Sequence, residues 1–325
     1  SQEDKYRDAT RDALMMRAGI RVEKPAAGAA DLRGLSLIEA AREHERVVNG
    51  RQIANREDLV RSVFSASSTG FIHILANVAE KSLQEGYQIA STTFDLFTKK
   101  GSLRDYKPAS RVSLGNFGIL SPVPEGAEYE RAQLADSGLM IQLAKYGKTF
   151  GITREAIIND DLSAFTEIPR KMGIASKYTL EHLVYHTLLN GKTVDGGAIF
   201  STTNGNLVSP GTTISVASLG AAIAMMRRQV DDKTKETPYP IIIEPQNIIV
   251  PPELETIAKQ LIASTVDPTG NNNVVNPYQN QFRVIPSAYL ADKEAWYLAG
   301  NPNITDTIKV SYLDGNEAPT IEEFD

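Results

Sequence analysis

A long helical run that follows a cluster of capping residues constrains the fold more than any other feature. Asn159, Asp160 and Asp161 favour helix N-termini, and the pattern predicts one helix from Asp161 to Leu189. Such a helix would be about 43 Å long, at about 1.5 Å per residue. Its apolar residues recur at spacings near three and four and can share one face: Phe165, Ile168, Met172, Ala175, Leu180, Leu183, Val184 and Leu188. A thin plate braced along one edge needs so long a helix, whereas an ordinary soluble domain rarely does.

The ends and the interior of this run carry more local predictions. Phe150 to Thr153 is predicted to be a short strand that leads into it, and the Asp160–Asp161 pair is interpreted as helix-capping carboxylates. Pro169 is predicted either to kink the helix or to be the first residue of its main part. Asn190-Gly191 ends the run with residues that accept the left-handed conformation.

The segment from Lys145 to Gly191 resembles the strand and spine helix of tailed-phage major capsid proteins that have the HK97 fold. Within that fold it is most similar to the branch of Mu-like major head subunits and protease–capsid fusions. The likeness is strongest from Phe150 to Asp161 and continues through a helix interrupted by Gly173. It extends over most of the chain from about residue 70 onward.

The resemblance implies an α+β, HK97-like capsid fold and a division of the chain into consecutive parts. These parts are an N-terminal arm (1–85), an extended loop or β-hairpin with flanking peripheral strands (86–150), a peripheral domain with the spine helix (151–205), an axial α/β domain (206–304) and a return to the peripheral domain (305–325). The last part is expected to be incomplete at its C-terminal end.

The pattern of residues 1–85 predicts short amphipathic helices over Leu35–Val48, Asn55–Phe64 and Phe71–Leu83. None carries enough apolar surface to form a core alone. They could be surface helices of one domain, or an arm that buries its apolar stripes on neighbouring subunits, and the resemblance favours the arm. The missing initiator Met is consistent with removal of an upstream segment by a maturation protease, or with a trimmed chain.

Residues 86–150 predict a projecting β-hairpin. Phe94–Thr98 alternates like a strand, and Gly138–Gly147 is predicted to pair with it antiparallel. Two polar strands cannot bury a face by themselves, so such a hairpin would depend on partners in an assembly. The candidate subunit-interface residues are Lys107, Arg111, Glu125, Glu128, Tyr129, Arg131, Lys145 and Lys148. Gly70 and Gly101 are the candidate hinges for movement of the arm and the hairpin on maturation.

The chain after the spine helix alternates between helix and strand, which predicts a compact α/β domain. Helices are predicted over Ile214–Val230 and from Pro251-Pro252 onward, with Ile257 among the inward-facing residues of the second. A buried strand is predicted within residues 239–250. Further strands are predicted at residues 281–286, 295–298 and 307–313.

Composition narrows the class of protein. The 325 residues are 42% hydrophobic and 23% charged, which is typical of a globular chain. No apolar run approaches 18 residues, so no membrane span is predicted, and the absence of Cys excludes disulfides and thiolate metal sites. The net charge of −6 argues against a dedicated nucleic-acid binder, although a surface that faces packaged DNA could be nearly neutral.

Motifs that could carry catalysis are weak. His182 and His186 lie four residues apart and could face one metal ion, but EHLVYH lacks the HExxH pattern and a third ligand. Gly147-Lys148-Thr149 and Gly191-Lys192-Thr193 mimic the end of a phosphate-binding loop without its earlier Gly. There is no Gly-x-Ser-x-Gly elbow and no Cys nucleophile. We therefore predict no enzymatic activity, no cofactor and no resident metal.

The resemblance implies a structural role: a major capsid subunit that self-assembles into hexamers and pentamers of an icosahedral phage head. Implied partners are further copies of the chain, the portal, a scaffold or maturation protease, decoration proteins, and packaged double-stranded DNA bound non-specifically on the inner face, with no membrane. The protein would be assembled in the host bacterial cytoplasm and would reside in the virion. Some capsids of this fold cross-link a hairpin Lys to an Asn of a neighbouring subunit. Lys145 and Lys148 flank the second hairpin strand, but no motif indicates which Lys and which Asn would react.

Other classes of protein remain as alternatives. An encapsulin-like nanocompartment shell would use the same fold without DNA, but the long segment 1–70 counts against it. A metal-dependent hydrolase built on His182 and His186 would need a third ligand in space.

Overall fold

The computed structural model describes residues 2–64, 70–111, 139–151, 153–193, 196–230, 239–268, 274–305 and 308–322. The chain forms two compact units. The first comprises Ser1–Ser91, Tyr146–Thr179 and Ala318–Asp325, and the second comprises Thr92–Lys145 and Leu180–Glu317. Within the described residues, no helix combines the length and the apolar character needed to cross a membrane.

The first unit is helical. Its helices are α1 (Gln2–Arg17), α2 (Ala29–Leu32), α3 (Leu37–Val48), α4 (Arg56–Phe64), α5 (Phe71–Ile89), α6 (Arg154–Ile158) and the N-terminal part of α7 (Ser163–Asn190). They share one apolar core, whose buried side chains include Leu14, Leu37, Leu59, Phe71, Leu75, Val78, Ile157 and Phe165. No single helix of residues 1–85 forms this core alone, because the core is shared among these helices and with Ile157 of α6 and Phe165 of α7. Each helix carries only a narrow apolar stripe, but the stripes face one another and exclude water together.

Helices α5 and α7 cross at a contact that leaves no room for a side chain. A Cβ atom at Gly86 of α5 would overlap the carbonyl oxygen of Arg170, and one at Gly173 of α7 would overlap the carbonyl oxygen of Leu83. The two helices therefore approach backbone to backbone, which only glycine permits. Gly173 does not interrupt the helix, because α7 is continuous from Ser163 to Asn190.

This close crossing also sets which face of α7 points inward. Pro169 and Gly173 are buried, whereas Ile168, which the sequence placed on the apolar face, is 44% exposed. Phe165 and Val184 are buried as predicted. Pro169 lies inside the helix rather than at its start, so that alternative for Pro169 is wrong.

The predicted capping pair before α7 has two different roles. The Asp161 carboxylate accepts a hydrogen bond from the Ser163 N–H (3.1 Å) at the start of α7, as predicted. The Asp160 carboxylate instead accepts from the N–H of Leu37 (2.6 Å), the first residue of α3. It also accepts from both terminal nitrogens of Arg17, at 3.1 Å for Nη1. Asp160 therefore joins the last turn of α1 to the first turn of α3.

Burial acts to raise the pKa of Asp160. The hydrogen bonds from Arg17 and Leu37 outweigh that effect, because they stabilise the charged carboxylate, and the pKa is lowered overall.

The predicted strand at Phe150–Thr153 is not formed: Phe150, Gly151 and Thr153 lie in no strand, and residue 152 is outside the described part of the chain. Thr153 instead caps α6, because its side chain accepts a hydrogen bond from the Ala156 N–H (3.3 Å). The capping hydroxyl favours a helix start over a strand at this point.

The second unit combines helices and strands. Its strands are β1 (Lys99–Leu103), β2 (Ala109–Arg111), β3 (Leu139–Ile141), β4 (Pro245–Val250), β5 (Arg283–Pro286), β6 (Tyr297–Gly300) and β7 (Lys309–Leu313). Its helices are the C-terminal part of α7, α8 (Val216–Arg227) and α9 (Glu255–Ala263), with single 3-10 turns at Phe94–Leu96 and Pro252–Leu254. Strand β4 is central, parallel to β5 and antiparallel to β6. Strand β1 pairs parallel with β7, and β2 pairs antiparallel with β3.

Strand β4 is buried on both faces, as its apolar sequence predicted. Ile248 and Val250 pack with Leu219 of α8 and Leu261 of α9, while Ile249 packs on the opposite face. The helices and strands predicted after residue 205 are present. Strand β6 is shifted by two residues towards the C-terminus of its predicted range, and α8, β4, β5 and β7 have shorter bounds than predicted. The inward placement of Ile257 is wrong, because Ala258, Leu261 and Ile262 form the buried side of α9.

Phe94–Thr98, predicted as a strand, is a 3-10 turn followed by β1. Phe94 and Phe97 are both buried in the core that contains Ile249 and Tyr185. Two aromatic residues three positions apart reach the same core from one helical turn, whereas alternation would place them on opposite faces of a strand.

A buried polar network holds the C-terminal part of α7 within the second unit. The Glu181 carboxylate accepts hydrogen bonds from the N–H and the hydroxyl of Thr93, each at 2.7 Å. The Thr93 hydroxyl is also 2.7 Å from the Tyr185 hydroxyl, and the Tyr185 ring stacks on Tyr289 at 5.5 Å between centroids. Burial is the main cause of a raised pKa at Tyr185. Each of these polar groups has a partner, so the network adds specificity to an apolar core.

Replacement of Gly173 by Ala should destabilise the first unit. The added methyl group collides with the Leu83 carbonyl and forces the helices apart. We expect a net loss of about 1–2 kcal/mol in the free energy of unfolding, because overpacking exceeds the gain in helix propensity. Urea unfolding followed by circular dichroism measures this. The matched control is Gly34→Ala, which has no atom near the new Cβ; equal stability of the two variants would contradict the close crossing.

Replacement of Asp160 by Asn should cost about 1.5 kcal/mol or slightly more at pH 7, because hydrogen bonds to a charged acceptor are lost at a partly exposed site. The folded-state pKa is lowered, so the stabilisation is full above the ordinary Asp pKa of 3.8 and is lost as the pH falls through the folded-state value. Urea unfolding at several pH values tests both points. The control, Asp8→Asn, removes an exposed pair with Arg11 and should cost less than about 0.5 kcal/mol. A difference between Asp160→Asn and wild type that grows in acid would be inconsistent with this role.

Candidate assembly interface

Strands β2 and β3 close the base of the predicted extended loop. Their antiparallel register pairs Ala109 with Ile141 and Arg111 with Leu139. The predicted second strand is thus confirmed over Leu139–Ile141, but its partner is β2 rather than Phe94–Thr98. Residues 112–138, which connect the two strands, lie outside the described residues, and so do the interface candidates Glu125, Glu128, Tyr129 and Arg131.

The hairpin-base surface, which we define as Arg104, Tyr106, Lys107, Met140 and Lys145, is exposed. Tyr106 and Met140 are 41% and 62% exposed. The Gln142 side chain donates a hydrogen bond to the Tyr106 carbonyl (3.0 Å). The Lys145 Nζ lies 5.7 Å from the centre of the Tyr106 ring, within cation–π range. These contacts bring residues from both sides of the loop together.

This surface is basic although the chain as a whole is acidic. Arg104, Lys107 and Lys145 are opposed locally by the carboxylate of Asp105, which accepts a hydrogen bond from the Lys107 N–H (3.1 Å). The chain carries a net charge of −6. Tyr, Met and Arg are enriched at protein–protein interfaces, and this makes the hairpin-base surface a candidate subunit contact.

The parallel pairing of β1 with β7 anchors the chain that leads into the hairpin base. The register runs from Lys99–Lys309 to Leu103–Leu313. Lys100 reinforces it, because its Nζ lies 2.7 Å from Glu317 and 3.7 Å from Asp95. The hydrogen bond to Glu317 is the main cause of a raised pKa at Lys100.

The two candidate hinges differ in their surroundings. Gly70 caps the start of α5 with extended dihedral angles (φ −72°, ψ 158°). Gly101 lies in the middle of β1 and pairs with Ser311, so a hinge there would have to break this ladder. The hinge role of both residues stays a prediction.

The structure brings only some of the predicted interface residues together. Lys107 and Lys145 share the hairpin-base surface, and Lys148 is exposed but belongs to the first unit. Arg111 lies in β2. Sequence reasoning missed Tyr106 and Met140; the signal available for Tyr106 was an aromatic residue flanked by Arg104 and Lys107 in a polar stretch.

The His pair considered for a metal site lies on α7. The His182 and His186 rings are 6.3 Å apart between centroids, and His182 also lies 5.8 Å from the Tyr289 ring. Among the residues that the structure describes, no group of three or more His, Cys, Asp or Glu side chains could hold a metal ion. The hydrolase alternative therefore has no ligand set in that part of the chain.

Comparison with known protein families gives the class of the protein. Residues 137–325, more than half of the chain, match a family described as phage capsid protein. The chain belongs to this phage capsid protein family, and its role is therefore structural.

The other two comparisons were with curated protein sequences and with solved structures. No curated protein sequence matched the chain. One similar solved structure is a chain from the capsid of bacteriophage JBD30 decorated with minor capsid protein trimers. The two are 15% identical, the match covers 62% of this chain and 91% of that chain, and the TM-score is 0.45.

Proposed function

We propose that the chain is the major capsid subunit of a tailed bacteriophage. In this proposal its copies form hexamers and pentamers that close into an icosahedral head around double-stranded DNA. The match of residues 137–325 to the phage capsid protein family is the observation that carries the proposal. The likeness of the Lys145–Gly191 segment to the HK97 fold and its Mu-like branch gives the finer assignment.

The proposed mechanism is repeated heterologous contact between copies. A closed shell requires each subunit to present one surface that fits a different surface of the next subunit. The hairpin-base surface suits one side of such a contact, because it is basic, aromatic and exposed. We propose that it binds an acidic surface of a neighbouring copy. Opposite local charges would orient subunits whose net charges of −6 otherwise repel each other.

The remaining assignments follow the sequence-based division of the chain. Residues 1–85 would act as the arm, residues 86–150 as the extended loop, residues 151–205 as the peripheral spine region, and residues 206–304 as the axial domain. Gly70 and Gly101 are the proposed hinges. The partners would be a portal, a scaffold or maturation protease, decoration proteins and packaged DNA. The protein would assemble in the host bacterial cytoplasm and remain in the virion.

Charge reversal on the hairpin-base surface should block assembly without unfolding the chain. We expect Lys107→Glu/Lys145→Glu to keep the circular dichroism spectrum of the wild type but to lower the fraction of protein in closed shells or rings by about tenfold or more, because a buried like-charge contact costs several kcal/mol. Size-exclusion chromatography with negative-stain microscopy at moderate salt measures the fraction.

The matched control is Lys171→Glu/Lys293→Glu, which reverses two exposed lysines elsewhere on the chain. Wild-type protein that carries its full natural C-terminus and stays monomeric or dimeric at high concentration would refute the capsid proposal itself. Wild-type shells with an unaffected Lys107→Glu/Lys145→Glu variant would refute only the role of this surface. Particles isolated from a host that makes the whole virion should protect double-stranded DNA from nuclease; enclosed protein cargo instead would favour the nanocompartment alternative.

A further inference from the structure

A histidine occupies a core position of the first unit. The buried residues of α3 are Leu37, Ala40, Ala41, His44 and Glu45, and the first three belong to the shared core. The His44 side chain is fully buried. Neither of its ring nitrogens has a hydrogen-bond partner among the described residues. A neutral imidazole ordinarily uses one nitrogen as a hydrogen-bond donor and the other as an acceptor. In His44 neither nitrogen recovers the hydrogen bonds to water that burial removes.

The groups around this ring are mostly apolar. Helix α5 presents the Phe71 ring, at 5.9 Å between centroids. The buried side chains of α4 and α6 in the same core are apolar: Leu59, Val60, Val63 and Ile157. None of these side chains offers a hydrogen-bond acceptor to a positively charged His44.

Two charged residues act on His44 from α3 and α1. Burial lowers the pKa of His44 most strongly, Glu45 of α3 raises it, and Arg7 of α1 lowers it, with a lowered pKa as the result. Glu45 is itself buried, and its Oε2 atom has no hydrogen-bond partner among the described residues. It neighbours His44 in the helix, and residues at that spacing do not face each other.

We propose that His44 makes the helical core of the first unit sensitive to mild acid. Protonation of the ring would place a positive charge in a largely apolar core and would loosen the packing of α3 against α1 and α5. Phe or Leu at this position would keep the core apolar at every pH, so His adds a dependence on pH that the fold does not require. The inference goes beyond the proposed function, because it concerns the folding of one chain and holds whether or not that chain forms a shell.

The direction of the effect follows from the pKa values of the two states. The ordinary value of 6.5 applies to the unfolded chain, and the folded-state pKa is lower. The stability contribution is therefore complete above about pH 6.5 and is lost as the pH falls from there towards the folded-state value.

Hydrogen exchange of the full-length chain at pH 7.5 and pH 5.0, corrected for the intrinsic rates, tests the proposal. For the wild type we expect the opening equilibrium of α1, α3 and α5 amides to increase by about fivefold or more at pH 5.0. His44→Phe and His44→Gln remove the titrating group and should abolish most of this increase. His44→Gln serves if the larger Phe ring prevents folding.

His186→Gln is the control, because it removes an exposed histidine from the second unit. It should keep the response of the wild type. The proposal would be overturned if the His44 variants showed the same pH response as the wild type, or if acid loosened only amides of the second unit. This measurement does not require assembly. A failure of the His44 proposal can therefore be distinguished from a failure of the capsid proposal.

Discussion

The backbone contact between α5 and α7 is the constraint on which the first unit depends. Gly86 and Gly173 let two helices approach until each backbone lies against the other, and this approach determines which face of α7 is buried. Pro169 and Gly173 therefore point inward, and Ile168 does not. The core that α1, α3, α4 and α6 share with α5 uses the N-terminal half of the same helix, from Phe71 to Val78.

The spacing of apolar residues predicted the helices and strands whose formation depends on residues close together in the sequence. The spine helix, α8 and the buried strand β4 carry long periodic or continuous apolar runs, and all are present. The prediction of a strand at Phe94–Thr98 was wrong. Over five residues, aromatic side chains three positions apart cannot be told from the alternating pattern of a strand. The resemblance of the Lys145–Gly191 segment indicated a phage capsid protein, and the family match agrees with it.

Long-range contacts could not be predicted from pattern. Asp160 is a residue type that often caps helices. Only the fold shows that its carboxylate accepts a hydrogen bond at the start of α3 rather than at the start of α7. The hairpin-base surface was predicted through Lys107 and Lys145, but the cation–π contact of Lys145 depends on Tyr106, which lies far away in sequence. No single apolar stripe in residues 1–85 was large enough to predict a core. The core arises only from the way in which the helices are arranged.

The ion pair between Arg17 and Asp160 joins residues that are 143 positions apart. A ribosome therefore releases every N-terminal helix long before the residue that ties two of them together has been synthesised. Much of the second unit's hairpin segment is made in that interval, and closing so long a loop carries an entropic cost that local helix contacts do not. The part of the apolar core that Ile157, Leu162 and Phe165 cover would stay exposed on the nascent chain until those residues have been synthesised.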